Sequence, residues 1–201
     1  MKLNTVERLA MNNPVRAAHQ HHREARWFQR LAGGSLAGQH VLEVGCGRGV
    51  GVEVLLDRLR AAQVSAFDLD PLMVAKAARR LYQRGTSVSL SVGDACDMTL
   101  ATGAVDAVVD FGVIHHVPDW RTALAEVSRV LRPGGLLLFE EVPRHTLDSW
   151  AFRTFTVHPR ADRFEANEFA EELRANKLMP LAATEDHFAG HLFAGAARRV
   201  G

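Results

Sequence analysis

Small and acidic residues stand at the ends of several short apolar runs, where they could bind a ligand. Gly45, Gly47 and Gly49 follow the run that ends at Val44. A turn without side chains lets a ligand press against the backbone, and carboxylates accept hydrogen bonds from hydroxyl and amino groups. Carboxylates also end four later runs, at Asp68, Asp94, Asp110 and Glu140. This combination predicts a nucleotide site.

The elements that must position these residues are strands and helices in alternation. The predicted strands are residues 40–45, 64–69, 88–92, 105–111 and 136–142, with weaker ones near 180–187 and 191–198. The predicted helices are 14–31, 50–59, 71–81, 119–131 and, more weakly, 166–176, and Asp70 and Asp119 are predicted N-caps. This order predicts an α/β fold, a doubly wound, mostly parallel seven-stranded sheet with helices on both faces. Ligands bind such sheets at the carboxyl ends of the strands.

The first helix is predicted to form an N-terminal extension ahead of the sheet. Asn13 can cap it, and its apolar face includes His22 and Phe28. We expect one domain overall, with residues 1–34 as a helical cap and residues 35–201 as the ligand-binding region.

The composition is that of an ordinary globular protein. The 201 residues are 47% hydrophobic and 23% charged, with a net charge of +1. So small a charge disfavours a broad nucleic-acid footprint. We expect the two cysteines to be free thiols in a reducing cytoplasm, with no signal peptide, membrane span or metal site.

The spacing of the glycines narrows the choice of nucleotide. A dinucleotide fingerprint, Gly-x-Gly-x-x-Gly, would need a third glycine at residue 50 or 52, and both are valine. A P-loop is excluded because no Gly-Lys-Ser/Thr follows. A nicotinamide-dependent oxidoreductase is therefore the disfavoured alternative.

The segment Val41-Leu42-Glu43-Val44-Gly45-Cys46-Gly47-Arg48-Gly49 resembles motif I of class I S-adenosylmethionine-dependent methyltransferases. The resemblance continues in order through Phe67-Asp68, Gly93-Asp94-Ala95, residues 110–117 and residues 131–135. It is closest to the small, single-domain branch, the methyltransferase type 11/25-like proteins. It implies a Rossmann-like fold, S-adenosylmethionine as cofactor, S-adenosylhomocysteine as product, and methyl transfer to a small molecule by in-line displacement.

The resemblance also implies the residues that bind the cofactor. Asp68 is expected to accept the ribose hydroxyls, with a capping or turn role as the alternative. Asp94 is expected to accept from the adenine amine, or else to form an Asx turn. The full predicted set is Glu43, Gly45, Cys46, Gly47, Asp68, Leu69, Asp94, Ala95, Phe111 and His116.

Three residues of the loop have open or lesser roles. Glu43 could hold loop amides or reach the ammonium group of the cofactor. Cys46 lies near a helix N-terminus, which favours a thiolate, although nucleophilic catalysis is disfavoured. Arg48 is expected to be a solvated loop charge.

Catalysis is expected to depend mainly on alignment, with a base needed only where the acceptor must lose a proton. The candidate bases are His115, His116 and Glu140, with Glu141 and His145 also considered. For the pair His115-His116, the resemblance implies a role in loop structure and the ligand pocket as the alternative. Glu140 and Glu141 should face opposite sides of their strand. At most one of them therefore faces the site, and an ion pair to Arg144 or Arg153 is the alternative.

Acceptor contacts are predicted from residues outside the resembled motifs. The predicted residues are His22, Glu140, His145 and Trp150. A buried core role is the alternative for His22, and Phe152 and Phe155 could join Trp150 in an apolar pocket. Nucleic-acid methylation is disfavoured, because residues 110–113 lack the Asn/Asp-Pro-Pro-Tyr/Phe motif and no Pro-Cys nucleophile is present. A module that binds the cofactor without catalysis is a further alternative.

Overall fold

The computed structural model describes residues 14–150, 159, 162–182 and 184–201. Its strands are β1 (His40–Val44), β2 (Gln63–Asp68), β3 (Val88–Val92), β4 (Val105–Phe111), β5 (Leu131–Glu141), β6 (Leu178–Pro180), β7 (Glu185–His187) and β8 (Leu192–Arg199). Its helices are α1 (Pro14–His19), α2 (Ala25–Leu31), α3 (Val50–Asp57), α4 (Pro71–Leu81), α5 (Trp120–Val130), α6 (Arg144–Leu147) and α7 (Ala166–Ala175). The predicted cap residue Asn13 lies outside the described residues.

The strands form one sheet in the order β3-β2-β1-β4-β5-β8-β6, and β7 also pairs with β8. Strands β1 to β5 are parallel, and β8 is antiparallel to β5. The chain thus starts at the centre and winds outwards in both directions. The carboxyl ends of β1, β2 and β4 consequently meet at one edge, where a ligand can enter.

Each face of the sheet is covered by helices over its own apolar core. One core gathers Trp120, Phe139 and Phe169, and the other gathers Phe28 and Leu55. Two buried faces explain why the central strands are almost continuously apolar. The predicted α/β, doubly wound architecture is therefore confirmed.

Two strands differ from their predicted bounds. The predicted strand near 180–187 is two short strands, β6 and β7, which pair with successive parts of β8. The predicted sixth strand is thus interrupted, so the described sheet has eight strands instead of the predicted seven. Strand β5 begins at Leu131 instead of residue 136, because its pairing with β4 shifts register between Val105 and Ala107. The turn sequence Pro133-Gly134-Gly135 lies within this irregular part.

The N-terminal helix contains a π-helical turn that the apolar spacing did not predict. Residues Gln20–Glu24 are π-helical, and the Ala25 N–H donates to the Gln20 carbonyl. The extra residue in this turn rotates the preceding helix. Glu24 is therefore buried and His22 is exposed, so the predicted place of His22 on the apolar face is wrong.

Helix α2 fixes this N-terminal segment to the rest of the molecule. The Phe28 ring packs edge-on against Phe111 at the end of β4, with ring centroids 4.8 Å apart. Trp27 stacks on His187 of β7 at 3.8 Å. These contacts place α1 over the carboxyl edge of the sheet. Among the described residues, no helix combines the length and apolar character needed to cross a membrane.

Candidate functional site

A cavity of about 340 Å³ lies at the carboxyl ends of β1, β2 and β4. This volume is in the range of small-molecule and cofactor sites. All ten predicted cofactor-binding residues line it: Glu43, Gly45, Cys46, Gly47, Asp68, Leu69, Asp94, Ala95, Phe111 and His116. The structure therefore brings together residues that are up to 73 positions apart in sequence.

The floor of the cavity is the glycine loop between β1 and α3. Gly45 has a φ of +70°, and a Cβ added to it would lie 2.6 Å from the Val113 Cγ2. The Gly47 N–H donates to the Asp68 Oδ2 at 2.9 Å. The loop is thus drawn against β2, with its backbone open to the cavity.

Asp68 lies at the rim of the cavity and ties two segments together. Its Oδ1 accepts from the Asp70 N–H at 2.8 Å, in addition to the bond from Gly47. Burial raises the pKa of Asp68, and the two backbone N–H groups oppose that rise. Each carboxylate oxygen has a second lone pair, so the side chain keeps the capacity to accept two hydroxyl groups. Asp70 is the helix cap, since its Oδ1 accepts from the Leu72 N–H at 3.0 Å.

Asp94 forms the Asx turn that was one of its two predicted alternatives, and it also lies on the cavity wall. Its Oδ1 accepts from the Cys96 N–H at 2.9 Å, which is an Asx turn. The residue also lines the cavity together with Ala95. The turn orients the carboxyl group without using all of its lone pairs.

Glu43 and Arg48 offer opposite charges on the cavity wall beside the glycine loop. The Glu43 Oε2 and the Arg48 Nε are buried, and neither has a hydrogen-bond partner among the described residues. Arg48 is half-buried, so its predicted role as a solvated loop charge is wrong. A zwitterionic amino-acid end would supply the missing donor and acceptor. Burial, followed by Asp68 and Asp110, raises the pKa of Glu43 well above its usual range, and a bound cation would lower it.

The pKa of the Cys46 thiol is not lowered, although its predicted position near a helix N-terminus would favour that. Burial raises the pKa of the Cys46 thiol strongly, and the charges of Glu43 and Asp68 raise it further. These effects exceed the attraction of the nearby helix N-terminus for a thiolate. The expectation that this position favours a thiolate is therefore wrong, which also removes it as a nucleophile.

The adjacent histidines after β4 face different surroundings. His116 lines the cavity, whereas His115 is buried with its Nδ1 2.5 Å from the Glu141 Oε2. Glu141 also accepts from the Ile114 N–H at 2.7 Å and from the His115 N–H at 3.2 Å. His115 therefore helps to hold the loop and does not lie on the cavity wall, contrary to its prediction as a base. Asp110 likewise accepts from the Val113 N–H at 2.8 Å and is fully buried.

Glu140 and Glu141 face opposite sides of β5, as the strand period predicts. Glu140 is 3% exposed, does not line the cavity, and its Oε1 lies 3.8 Å from the Arg16 Nη2. Neither glutamate forms the ion pair with Arg144 that was the alternative, because Arg144 pairs with Glu165 and Glu168 instead. Arg153 lies outside the described residues, as do Phe152 and Phe155.

The structure does not bring the other predicted acceptor residues to the cavity. His22 is exposed on the outer face of the π-helical turn. The His145 Nδ1 lies 2.8 Å from the Glu165 Oε2, and its Nε2 lies 3.0 Å from the Gly190 carbonyl. Trp150 is 78% exposed and does not line the cavity. None of the three lines this cavity, and their contacts with an acceptor stay predictions.

The sequence missed residues that reach the cavity from outside the glycine loop. Arg16 and Gln20 line it from α1 and the π-helical turn, and Met73 and Val113 line it from α4 and the loop after β4. Arg16 and Gln20 are four residues apart, so helical spacing could have paired them. The helical face that carries Arg16 and Gln20 meets the cavity, and the face that carries His22 does not, because of the π-helical turn.

Fold and site together define a class of protein. The sheet is doubly wound with an antiparallel β8, a glycine loop follows β1, and acidic residues stand at the ends of β2 and β3. Together these features form a site for an adenosine-containing ligand with a charged amino-acid end. A family model described as a methyltransferase domain matches residues 42–139. This match covers just under half of the chain, and together with the fold it supports a class I S-adenosylmethionine-dependent methyltransferase with S-adenosylmethionine as its cofactor.

Individual relatives are consistent with this similarity. The chain is 40% identical over 119 residues to a probable S-adenosylmethionine-dependent methyltransferase of Mycolicibacterium smegmatis, covering 59% of this chain and 44% of the relative. It is 35% identical over 125 residues to a fatty-acid O-methyltransferase of the same organism, covering 62% and 45%. The chain thus spans less than half the length of these relatives.

A solved structure confirms the fold over nearly the whole chain. An S-adenosylmethionine-dependent methyltransferase from Aquifex aeolicus superposes with a TM-score of 0.78 and covers 99% of this chain and 100% of its own. Its sequence identity is 18%, so the likeness is one of fold.

Two buried carboxyl groups should make stability depend on pH. Burial is the main cause that raises the pKa of Glu140 and of Glu141 from 4.5 to about 7. A carboxyl pKa that is higher in the folded state stabilises at low pH, and that stability is lost as the pH rises from about 4.5 through about 7. The Glu140→Gln variant should therefore lose less stability than the wild type between about pH 5 and pH 8, by about 2–3 kcal/mol.

Urea unfolding at several pH values measures this difference. Glu171→Gln is the matched control, because Glu171 is an exposed carboxylate on α7. Equal pH dependence in Glu140→Gln and the wild type would show that Glu140 titrates normally.

Proposed function

We propose that this chain transfers the methyl group of S-adenosylmethionine to a small-molecule acceptor. The observation that carries the proposal is that the buried Glu43 Oε2 and Arg48 Nε, beside an open glycine loop, have no hydrogen-bond partner in the described part of the chain. A nicotinamide dinucleotide has no amino-acid end that would match this pair.

Each cavity residue has a proposed part in holding the cofactor. Asp68 accepts the ribose hydroxyls, and Asp94 with the Ala95 backbone holds the adenine. Glu43 accepts from the ammonium group, Arg48 donates to the carboxylate, and Gly45 and Gly47 let the backbone approach. The remaining proposed contacts are Cys46, Leu69, Phe111 and His116.

The bound cofactor supplies a methyl group that its sulfonium already activates. The protein has to align the acceptor and exclude water, and helix α1 with Arg16 and Gln20 covers the cavity for that purpose. Where the acceptor must lose a proton, His116 is the proposed base on the cavity wall. His115 is a positioning residue, because it acts through Glu141 on the same loop.

We retain the division into a cap, residues 1–34, and a cofactor-binding region, residues 35–201, as a proposal. Its support is that the described part of the cap reaches the cavity through Arg16 and Gln20. The fatty-acid relative makes a lipid acceptor one member of the proposed acceptor class.

Transfer of a radiolabelled methyl group tests the proposed activity. The protein is incubated with labelled S-adenosylmethionine and fractionated small molecules of a cell extract, and label is counted in compounds other than the cofactor. We expect transfer by the wild type and none by Asp68→Ala. Tight cofactor binding without transfer to any fraction would instead define a binding module that lacks catalysis.

A further inference from the structure

Four polar side chains form a partly buried cluster beside the cavity, which we call the Glu24 cluster: Arg16, His19, Glu24 and Glu140. Glu24 is fully buried and forms an ion pair with Arg16. The His19 Nδ1 lies 2.8 Å from the Glu24 Oε1, and the Arg16 Nη2 lies 3.8 Å from the Glu140 Oε1. Arg16 also lines the cavity, so the cluster adjoins the proposed cofactor site.

Three atoms of the Glu24 cluster are buried and have no hydrogen-bond partner within the part of the chain that the structure describes. They are the Glu24 Oε2, the Glu140 Oε2 and the His19 Nε2. The side chains of Glu24 and Glu140 are 0% and 4% exposed. Buried polar atoms of this kind are costly unless a ligand or water pairs with them.

The chemistry of the three atoms is the same. Carboxylate oxygens accept hydrogen bonds. The His19 Nδ1 faces the Glu24 carboxylate and therefore carries the ring proton, which leaves a lone pair on the Nε2 of the neutral ring. Burial, followed by Arg16 and Arg23, lowers the pKa of His19 and so favours this neutral form. When both carboxyl groups are ionised, the cluster thus offers three acceptors and no unpaired donor at these positions.

The charge of the cluster and the number of its free acceptors indicate which ligand group would fit it. Two carboxylates face one guanidinium, so the ionised cluster has an excess negative charge. A primary amine in its ammonium form carries one positive charge and three N–H donors, whereas a hydroxyl offers one donor and an ionised carboxylate offers none.

We propose that the Glu24 cluster binds an amino group of the methyl acceptor and so selects amine-bearing acceptors. This inference rests on the proposed methyl transfer, since it assigns the acceptor side of the same site. Of the four residues only Arg16 lines the cavity, so the acceptor would reach the cluster past Arg16, between helix α1 and the end of β5.

A matched series of probes tests this selection. Phenethylamine, phenethyl alcohol and phenylacetate share one skeleton and differ in the polar group. Each is titrated calorimetrically into the protein loaded with S-adenosylhomocysteine, and each is assayed as a methyl acceptor. We expect the amine to bind at least about tenfold more tightly than the other two, the scale of hydrogen bonds to charged groups.

Two isosteric variants locate the selection in the cluster. Glu24→Gln and Glu140→Gln should each reduce the preference for the amine by about tenfold, with the affinity for S-adenosylmethionine unchanged. The exposed Glu171→Gln variant is the control and should keep the wild-type preference. A merely structural role would change stability and cofactor affinity without changing the ratio between amine and alcohol.

Several outcomes would overturn the proposal. These are equal or absent binding of all three probes, a preference for the carboxylate, or an unchanged preference in both variants. Weakened cofactor binding in Glu24→Gln with the amine preference intact would assign the cluster to the cofactor instead. Failure of S-adenosylmethionine to bind the wild type would refute the proposed function itself, which keeps the two failures separate.

Discussion

Replacing Asp68 by alanine should raise the dissociation constant for S-adenosylmethionine at least about 30-fold. A ribose diol that is held by a carboxylate loses two charge-assisted hydrogen bonds, and about 2 kcal/mol corresponds to this change in affinity. The same substitution removes the acceptor for the Gly47 and Asp70 N–H groups, so the glycine loop also loses its attachment to β2. Isothermal titration calorimetry measures the effect.

Two further variants separate these contributions. Asp68→Asn keeps the size of the side chain and one acceptor oxygen, so its affinity should be intermediate. Asp57→Ala removes an exposed aspartate that pairs with Arg84, and such surface pairs contribute little, so its affinity should be that of the wild type. An unchanged dissociation constant in Asp68→Ala would rule out the ribose assignment.

Gly45→Ala should destabilise the protein by about 2–5 kcal/mol and abolish cofactor binding. The backbone at Gly45 has a φ of +70°, where a Cβ costs about 1–2 kcal/mol. The new methyl group would also overlap the branched side chain of Val113, and overpacking of this kind costs about 1–3 kcal/mol. Urea unfolding followed by circular dichroism measures the loss.

Gly38→Ala is a matched control for the backbone contribution. Gly38 has a φ of +76°, and a Cβ there would have nothing within 4 Å. This variant should lose about 1–2 kcal/mol and keep its cofactor affinity. If the two variants were equally destabilised, the contact between the glycine loop and Val113 would not be the tight one described here.

The sheet and the cofactor cavity could be predicted from sequence because both depend on local patterns. Apolar runs ended by Asp68 or Asp94 define where parallel strands stop, and the topology of a doubly wound sheet brings those ends to one edge. The Asp70 cap is equally local, since it bonds the N–H two residues later.

The acceptor side could not be predicted because it depends on packing between distant segments. Apolar periodicity assumes a regular α-helix, whereas the turn at Gln20–Glu24 is π-helical and buries Glu24 in place of His22. Similarly, His115 and His116 are adjacent in sequence, and only the position of Glu141 on β5 decides which of them turns inward. The partial burial of Arg48 could not be predicted because the cavity it lines is also lined by Arg16 and Gln20, which come from the distant N-terminal segment.

The central claim, that the cavity is built for S-adenosylmethionine, is tested most directly by calorimetric titration of the wild-type protein with three ligands. S-adenosylmethionine and S-adenosylhomocysteine should bind with one-to-one stoichiometry. Both carry the adenosine and amino-acid ends that we propose are contacted by four cavity residues, Asp68, Asp94, Glu43 and Arg48. NADH should not bind. Binding of NADH without binding of either S-adenosyl compound would contradict the account.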